Sequence, residues 1–481
     1  MQSIPQQSEL DALLSALFRG ELTETQAARL AELGPEAVRL ALLAASEKIE
    51  QLQLRLQPQS PSPSTPSGMV PVYQKPAAKK RRKKPGARNG HVGTRRKTPD
   101  QIDRTIEHRL EACPCCGGEL QRCKRQRKRI IEDIPEQITP VVTKHAIHRD
   151  YCPNCKKHVE PVVPDAMPNA TLGHNIVALS SWFHYGLGVT IGQVRDILGS
   201  HLHTRISPGG LVDGWRRLAE AIEPWYQQIA REAKDSAVLH ADETGWRVNG
   251  QTHWLWCFCN HRNCFYMIDK SRGSPALHSF FTEAFNGTLV TDFWRAYESV
   301  CVEDRQYCIP HLLRELLKVD EHNDHWEWQV FARQLRRLIR DGIRLRRRPD
   351  FDPKKYDSRI KLIHRRVCRL GDDVYEDADA RRLGERISRH RDHLFTFLDK
   401  LEVPFDNNHA ERQIRPAVII RKNSLCNRSD DGAKTQAVLM SVYRTLRLRG
   451  HDPTKTISDA LRKLLQTGTL PPLPEEFAAD G

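Results

Sequence analysis

Residues 236–250 read SAVLHADETGWRVNG. Ala237-Val238-Leu239 has the apolar character of a buried strand, yet it runs directly into Asp242 and Glu243, then Trp246 and a Gly-bearing turn. A strand that ends on an acid either caps a turn or presents negative charge for a purpose. The residues that follow favour the second reading. THWLWCFCN and NCFYMIDKSRG are two more β runs, separated by a turn at His261-Arg262, and SPALHSFFTEAF is an amphipathic helix. GTLVTDFWRAY is then a fourth buried strand that also meets an acid, Asp292. A helix between the third and fourth strands lets the first and fourth lie side by side and parallel, which sets Asp242 next to Asp292. This predicts an α/β, ribonuclease-H-like core.

Two adjacent carboxylates repel, and one is forced toward its protonated form unless a cation neutralises them. Magnesium or manganese does this with oxygen ligands. A two-ion site needs one bridging carboxylate and a further acid on each flank, so a third acid is expected on a helix packed against the sheet. VPFDNNHAERQIRPAVIIRKNSL supplies it: Asp406 or Asn407 caps a helix with Glu411 one turn in, and Arg412 and Arg415 are placed to take phosphates. Glu243 and Asp269, at the end of the third strand, compete for the role. His311, in CIPHLLREL, is read as a strand-end residue within reach of a scissile phosphate or attacking water.

Between Asp292 and Glu411 lie 118 residues, too many for a loop. Phe331, Leu335, Leu338, Gly342 and Leu345 make one apolar stripe surrounded by Arg, so a helical insertion with a basic face is expected there.

Upstream, Val38, Leu42, Ala45, Ile49, Leu52 and Leu56 are spaced four and three apart, as in a short leucine zipper. The Pro/Ser-rich stretch 57–68 reads as an extended linker. Lys79, Lys80, Arg81, Arg82, Lys83 and Lys84 form an unbroken basic run, followed by Arg95, Arg96 and Lys97. Such a run has nothing apolar to bury and is suited to a phosphate backbone. The stretch RIIEDIPEQITPVVTKHAIHRDYC, 129–152, alternates like half-buried strands and separates two Cys-x-x-Cys knuckles, Cys113/Cys116 and Cys152/Cys155. Four such thiolates form a closed, structural zinc site, with Cys115 as a competing ligand and Cys123 a bystander. Residues 189–222 read as two helices about a Gly-containing turn, the second opened by Ser207 and Pro208, as in a helix-turn-helix.

Composition agrees: 75 Lys+Arg against 60 Asp+Glu leave a net charge of +15, which favours a nucleic-acid partner. Thirteen cysteines, an odd number, point to metal and a reducing compartment rather than disulfides. There is no apolar run long enough for a bilayer and no basic leader at the start, so a soluble cytoplasmic protein without a membrane partner is expected.

The ordered set CPCCGG…CPNC, HADETGW, VTDFWRAY, CIPHLLREL, NNHAERQIRP and LPPLPEEF, after PGARNGHVGTRRKTPDQID, resembles bacterial transposases of the insertion sequence 66 type along nearly the whole chain. The resemblance implies a DDE triad of Asp242, Asp292 and Glu411 holding two magnesium (or manganese) ions. It also assigns zinc to Cys113, Cys116, Cys152 and Cys155. It implies phosphoryl transfer without a covalent enzyme intermediate, cutting at transposon ends bound through terminal inverted repeats and joining them to target DNA. A homo-oligomer and accessory proteins from the same element are the implied partners.

The domain organisation expected is a zipper helix at 1–57, linker and basic segment at 58–97, zinc module at 98–163 and helix-turn-helix-like segment at 164–234. The catalytic core would occupy 235–318 and 401–447 around an insertion at 319–400, with a tail at 448–481. A non-catalytic zinc-ribbon DNA-binding regulator and a structure-specific DNA nuclease are the alternatives.

Overall fold

The computed structural model describes residues 9, 12–16, 22–56, 99–121, 129–135, 138–348 and 352–477. The linker, the basic residues 79–84 and 95–97, and Cys123 lie outside the described residues. The chain divides into two compact units, Met1–Arg81 and Arg82–Gly481. In the first, Thr23 opens helix α1 (Glu24–Glu32) with a capping box to Gln26, and α2 (Pro35–Leu56) spans the expected zipper. Ala37 and Ala41 of α2 pack with Leu13 and Leu30, whereas Leu42, on the expected zipper seam, is 66% exposed.

In the second unit the expected strands between the cysteine knuckles are largely absent. Among the described residues before the sheet, only β1 (Asp150–Cys152) and β2 (Lys157–Val159) form, as a hairpin around the second knuckle. Ile131, Ile134, Val141 and Val142 are exposed, so the alternation of this stretch meets no apolar face that would hold it as a sheet.

Four helices follow: α3 (His174–Ser181), α4 (Ile191–His201), α5 (Pro208–Ala221) and α6 (Glu223–Lys234). The Ser207 side chain accepts from the Gly210 amide and Pro208 takes the first turn of α5, as the sequence signal predicts. The central sheet has the order β5-β4-β3-β6-β7. Its strands are β3 (Val238–Val248), β4 (Gln251–Cys259), β5 (Cys264–Asp269), β6 (Phe285–Thr291) and β7 (Val302–Tyr307), with α7 (Ser274–Phe280) between β5 and β6. The first three strands form an antiparallel meander, while β3–β6 and β6–β7 are parallel. The β3–β4 turn places Asn249 and Gly250 at φ +49° and +75°, the tight hairpin that Asn-Gly favours. Gly287 lets β6 approach β3: a Cβ there would lie 2.7 Å from the Ser236 carbonyl oxygen and 2.8 Å from that of Ala237.

The two sheet faces bury different cores. Leu239 and Leu289 enter the core shared with α3–α6, whereas Val238, Val290 and Tyr307 enter the other. That second core is completed by α8 (Ile309–Val319), α9 (Trp326–Arg346), α10 (Pro353–Asp372), α11 (Ala378–His390) and α12 (Thr396–Asp399). Phe331, Leu335, Leu338 and Leu345, the apolar stripe of α9, are buried in it. The helices between β7 and Glu411 make most of this core among themselves and bury Val238, Val290 and Tyr307 of the sheet.

The chain then returns through α13 (Asn408–Ser424), α14 (Asp430–Leu448) and α15 (Pro453–Thr467). The segment expected as a tail is part of the core. Ile457 and Leu461 are fully buried, Leu473 is 2% exposed, and the Trp225 indole donates to the Pro471 carbonyl at 2.7 Å.

Candidate active site

The site begins with the parallel pairing of β3 and β6, in register Val238↔Thr288, Leu239↔Leu289 and His240↔Val290. Carried two residues further, this register sets Asp242 beside Asp292, the adjacency that the order of strands predicts. Strand alternation puts both on the Val238/Val290 face and Glu243 on the opposite one. Burial first, then the charges of Glu243, Asp292 and Glu411, push the Asp242 carboxyl well above the usual carboxylate range. Burial and the Glu243 charge push Asp292 up to about 7. The Asp242 and Asp292 carboxylates accept from the Glu243 and Trp294 amides, both at 2.9 Å.

Glu411 comes to this place in the first turn of α13, which packs on β3 and β4. Asn407 fixes the start of that helix. Its side chain donates to the Ala241 carbonyl at 2.8 Å and accepts from His240 Nδ1 at 2.9 Å, and its amide donates to Cys308 Sγ at 3.2 Å. Asn407 is the N-cap residue but caps no amide with its side chain, and Asp406, just before the helix, accepts from the Asn408 amide at 3.1 Å. Asn407 thus bolts Glu411's helix to the residue before Asp242. The three carboxylates interact electrostatically, but their oxygens do not all lie within 4.8 Å of one another. In a two-ion arrangement only the bridging acid touches both ions, so the flanking acids need not meet within one ion's reach.

The competing acids have other partners. Glu243 is 3% exposed and receives the Arg272 guanidinium at 2.9 Å on Oε1 and the Tyr297 hydroxyl at 2.7 Å on Oε2. Arg272 itself lies between Trp254 and Trp294, 4.6 and 4.0 Å from the ring centroids. Asp269 closes a turn by accepting from the Ser271 amide at 2.6 Å. Trp246 is buried and donates to Asn427 Oδ1 at 2.7 Å, which stitches the end of β3 to the loop after α13. Arg272 and Tyr297 are the neighbours of Glu243 that sequence reasoning misses, because their pairing is made across tertiary structure. His311 stands in the first turn of α8 and not at a strand end, and Pro310, at a first-turn position, is the signal that marks that helix start. Arg314, one turn on, donates to Glu411 Oε1 at 3.2 Å.

A family model described as "Transposase IS66 family" matches residues 169–435, more than half of the chain and all of the site just described. The chain belongs to the transposase IS66 family. Membership supports a transposase role and implies DNA as a partner. The chain is also similar to two uncharacterized proteins of Sinorhizobium fredii (strain NBRC 101917 / NGR234). It is 23% identical to y4jD over 80% of both chains. It is 21% identical to y4hP over 77% of this chain and 74% of the other. A shorter stretch, 16% of this chain and 14% of the relative, is 37% identical to y4qI of the same organism.

Outside the carboxylate site, this IS66 chain exposes Arg412 and Arg415 on α13, flanking Glu411. Both cysteine knuckles are folded. The Gly117 amide donates to the Cys113 carbonyl at 2.8 Å and the Cys155 amide to Cys152 Sγ at 3.5 Å. Hydrogen bonds from backbone amides, of Cys115 first and of Cys155 first respectively, lower the Cys113 and Cys152 thiol pKa values. Cys113, Cys116, Cys152 and Cys155 are not gathered around one point. Among the described residues, the metal-capable group whose ligand atoms all lie within 4.8 Å is Cys308, His311 and Glu411. No described helix is long and apolar enough to cross a membrane.

Proposed function

We propose that the chain is a DDE-type transposase that cuts and joins DNA at Asp242, Asp292 and Glu411. The observation that carries this reading is the parallel β3–β6 register, which brings two buried acids to adjacent strand ends. Burial and neighbouring acids raise the pKa values of both, and for Asp292 the Arg272 charge offsets this only in part, which fits residues that hold divalent cations. The sheet order, a three-stranded meander joined to two parallel strands, supports a ribonuclease-H-like core. Magnesium or manganese, when bound, would supply Lewis-acid activation of the phosphate and of the attacking oxygen.

The chain's own residues do the rest. Asp242 is held on a central strand, and Asn407 keeps Glu411 in register with it. Arg272 neutralises Glu243, so that this acid stays outside the ligand set. Arg412 and Arg415 are placed to take flanking phosphates, with the basic run 79–84 and Arg95, Arg96 and Lys97 adding sequence-independent affinity. The helices α4 and α5 would read terminal repeats, and the exposed Leu42 seam of α2 would pair two copies. The test is cleavage and joining of a duplex carrying the element's end, with Mg²⁺ and the full chain. Strand cleavage at the end is expected. Specific end binding without cleavage in Mg²⁺ or Mn²⁺ would instead favour a regulator, and cleavage governed by DNA branching rather than by end sequence would favour a structure-specific nuclease.

The two knuckles, each with amide support for thiolate, fit halves of a zinc site. We expect about one zinc per purified chain by metal analysis, reduced in Cys152→Ser. A zinc-free chain that still binds end DNA would remove zinc from the account.

A further inference from the structure

We propose that His311 is a nitrogen ligand of the divalent ion held at Glu411, so that the site favours first-row transition ions such as manganese over magnesium. The proposal rests on the transposase reading above and assigns a role that the three acids alone do not require.

The backbone builds the position. Cys308, at the start of α8, donates its amide to the Thr291 carbonyl at 2.8 Å, beside Asp292. The Ile309 amide donates to the Phe405 carbonyl at 3.0 Å, and the Asn407 amide reaches Cys308 Sγ. The first turn of α8 is therefore stitched to the strand that carries Asp292 and to the entry of the helix that carries Glu411. His311, in that turn, brings Nε2 to 3.7 Å from Glu411 Oε1. Its Nδ1 is buried and has no hydrogen-bond partner. The ring therefore faces Glu411 through Nε2, with no hydrogen bond on Nδ1 holding it there.

The neighbouring groups narrow the role. The Cys308 thiol is fully buried and already accepts an amide, so it forms the wall behind the ring. Arg314, which shares Glu411 Oε1, has half of its side chain exposed and can turn outward toward a phosphate. What remains facing Glu411 is an imidazole nitrogen. Magnesium takes oxygen ligands and dehydrates reluctantly, whereas affinity for nitrogen donors rises along the first-row transition ions.

The full-length protein loaded with Mn²⁺ tests this by pulsed electron paramagnetic resonance. The wild type should show modulation from a directly bound imidazole nitrogen, and His311→Gln should lose it. Mn²⁺ affinity should fall by about tenfold or more in His311→Gln, with a smaller loss for Mg²⁺ measured by competition. No nitrogen modulation in the wild type, modulation that persists in His311→Gln, or equal losses for both ions would overturn the proposal. The wild-type spectrum needs no variant to fold, and His311→Asn serves as the second variant. Asp292→Asn separates this idea from the one beneath it. If that variant binds Mn²⁺ as the wild type does while His311→Gln does not, the three-carboxylate reading fails and His311 stands.

Discussion

Asp292→Asn is expected to lower Mg²⁺-dependent end cleavage by about 10³-fold or more, because a lost ligand removes several kcal/mol of transition-state stabilisation. The same substitution should make the chain more stable in chelator at alkaline pH. Asp292 is pushed up to about 7 from an ordinary 3.8, so the folded chain keeps a proton that the unfolded chain releases. With more protons bound in the folded state, stability falls as pH rises from 3.8 to about 7. Above that window the loss reaches about 4 kcal/mol at most, from about 1.4 kcal/mol per pH unit. Asparagine removes it. In chelator at pH 8, melting should therefore be higher for the variant, with little difference near pH 4. Adding Mg²⁺ should raise the melting temperature of the wild type and leave the variant nearly unmoved. A variant that melts lower than the wild type in chelator at pH 8 would mean that Asp292 is an ordinary structural acid.

Arg272→Ala is expected to destabilise the fold by about 3–5 kcal/mol, since it leaves Glu243 buried without its counter-charge. Three observations support so large an effect. Glu243 is 3% exposed, its Oε1 takes two guanidinium bonds, and the guanidinium lies between two indoles. The loss also reaches the site, because an unneutralised Glu243 raises the proton affinity of Asp242 and Asp292. Cleavage should then need higher Mg²⁺ than in the wild type, and Glu243→Gln combined with Arg272→Ala should recover part of the stability. Thermal melts of the single and double variants measure the coupling directly. A loss below about 1 kcal/mol, typical of a surface pair, would mean that the pair is solvated.

The adjacency of Asp242 and Asp292 was legible because its signals are local. A buried β run ending in acid occurs twice, with a hairpin, a third strand and a helix between, and this order leaves few ways to arrange the sheet. The Asn407 capping region was legible as a helix start, but not that its side chain would bond to β3 instead of capping the helix. The partner of Glu243 was not legible, since nothing in DKSRG marks Arg272 as the residue that two distant tryptophans enclose. The stretch 129–149 misled for the opposite reason. Its alternation satisfies the strand pattern, but a pattern needs an apolar surface to bury against, and Val141 and Val142 have none. The final segment has an ordinary polar composition, and its place in the core rests on Ile457, Leu461 and Leu473 and on a carbonyl offered to Trp225.

The bond from Asn407 to Ala241 joins residues 166 positions apart. At about 5–20 residues per second, a ribosome needs roughly 8–33 s to pass from one to the other. In the later part of that interval, once Asp292 has been made, the emerging polypeptide carries both strand-end acids without Glu411. On the proposed triad, a product terminated before Asn407 keeps Asp242 and Asp292 but lacks Glu411, and it is expected to bind DNA without cutting it.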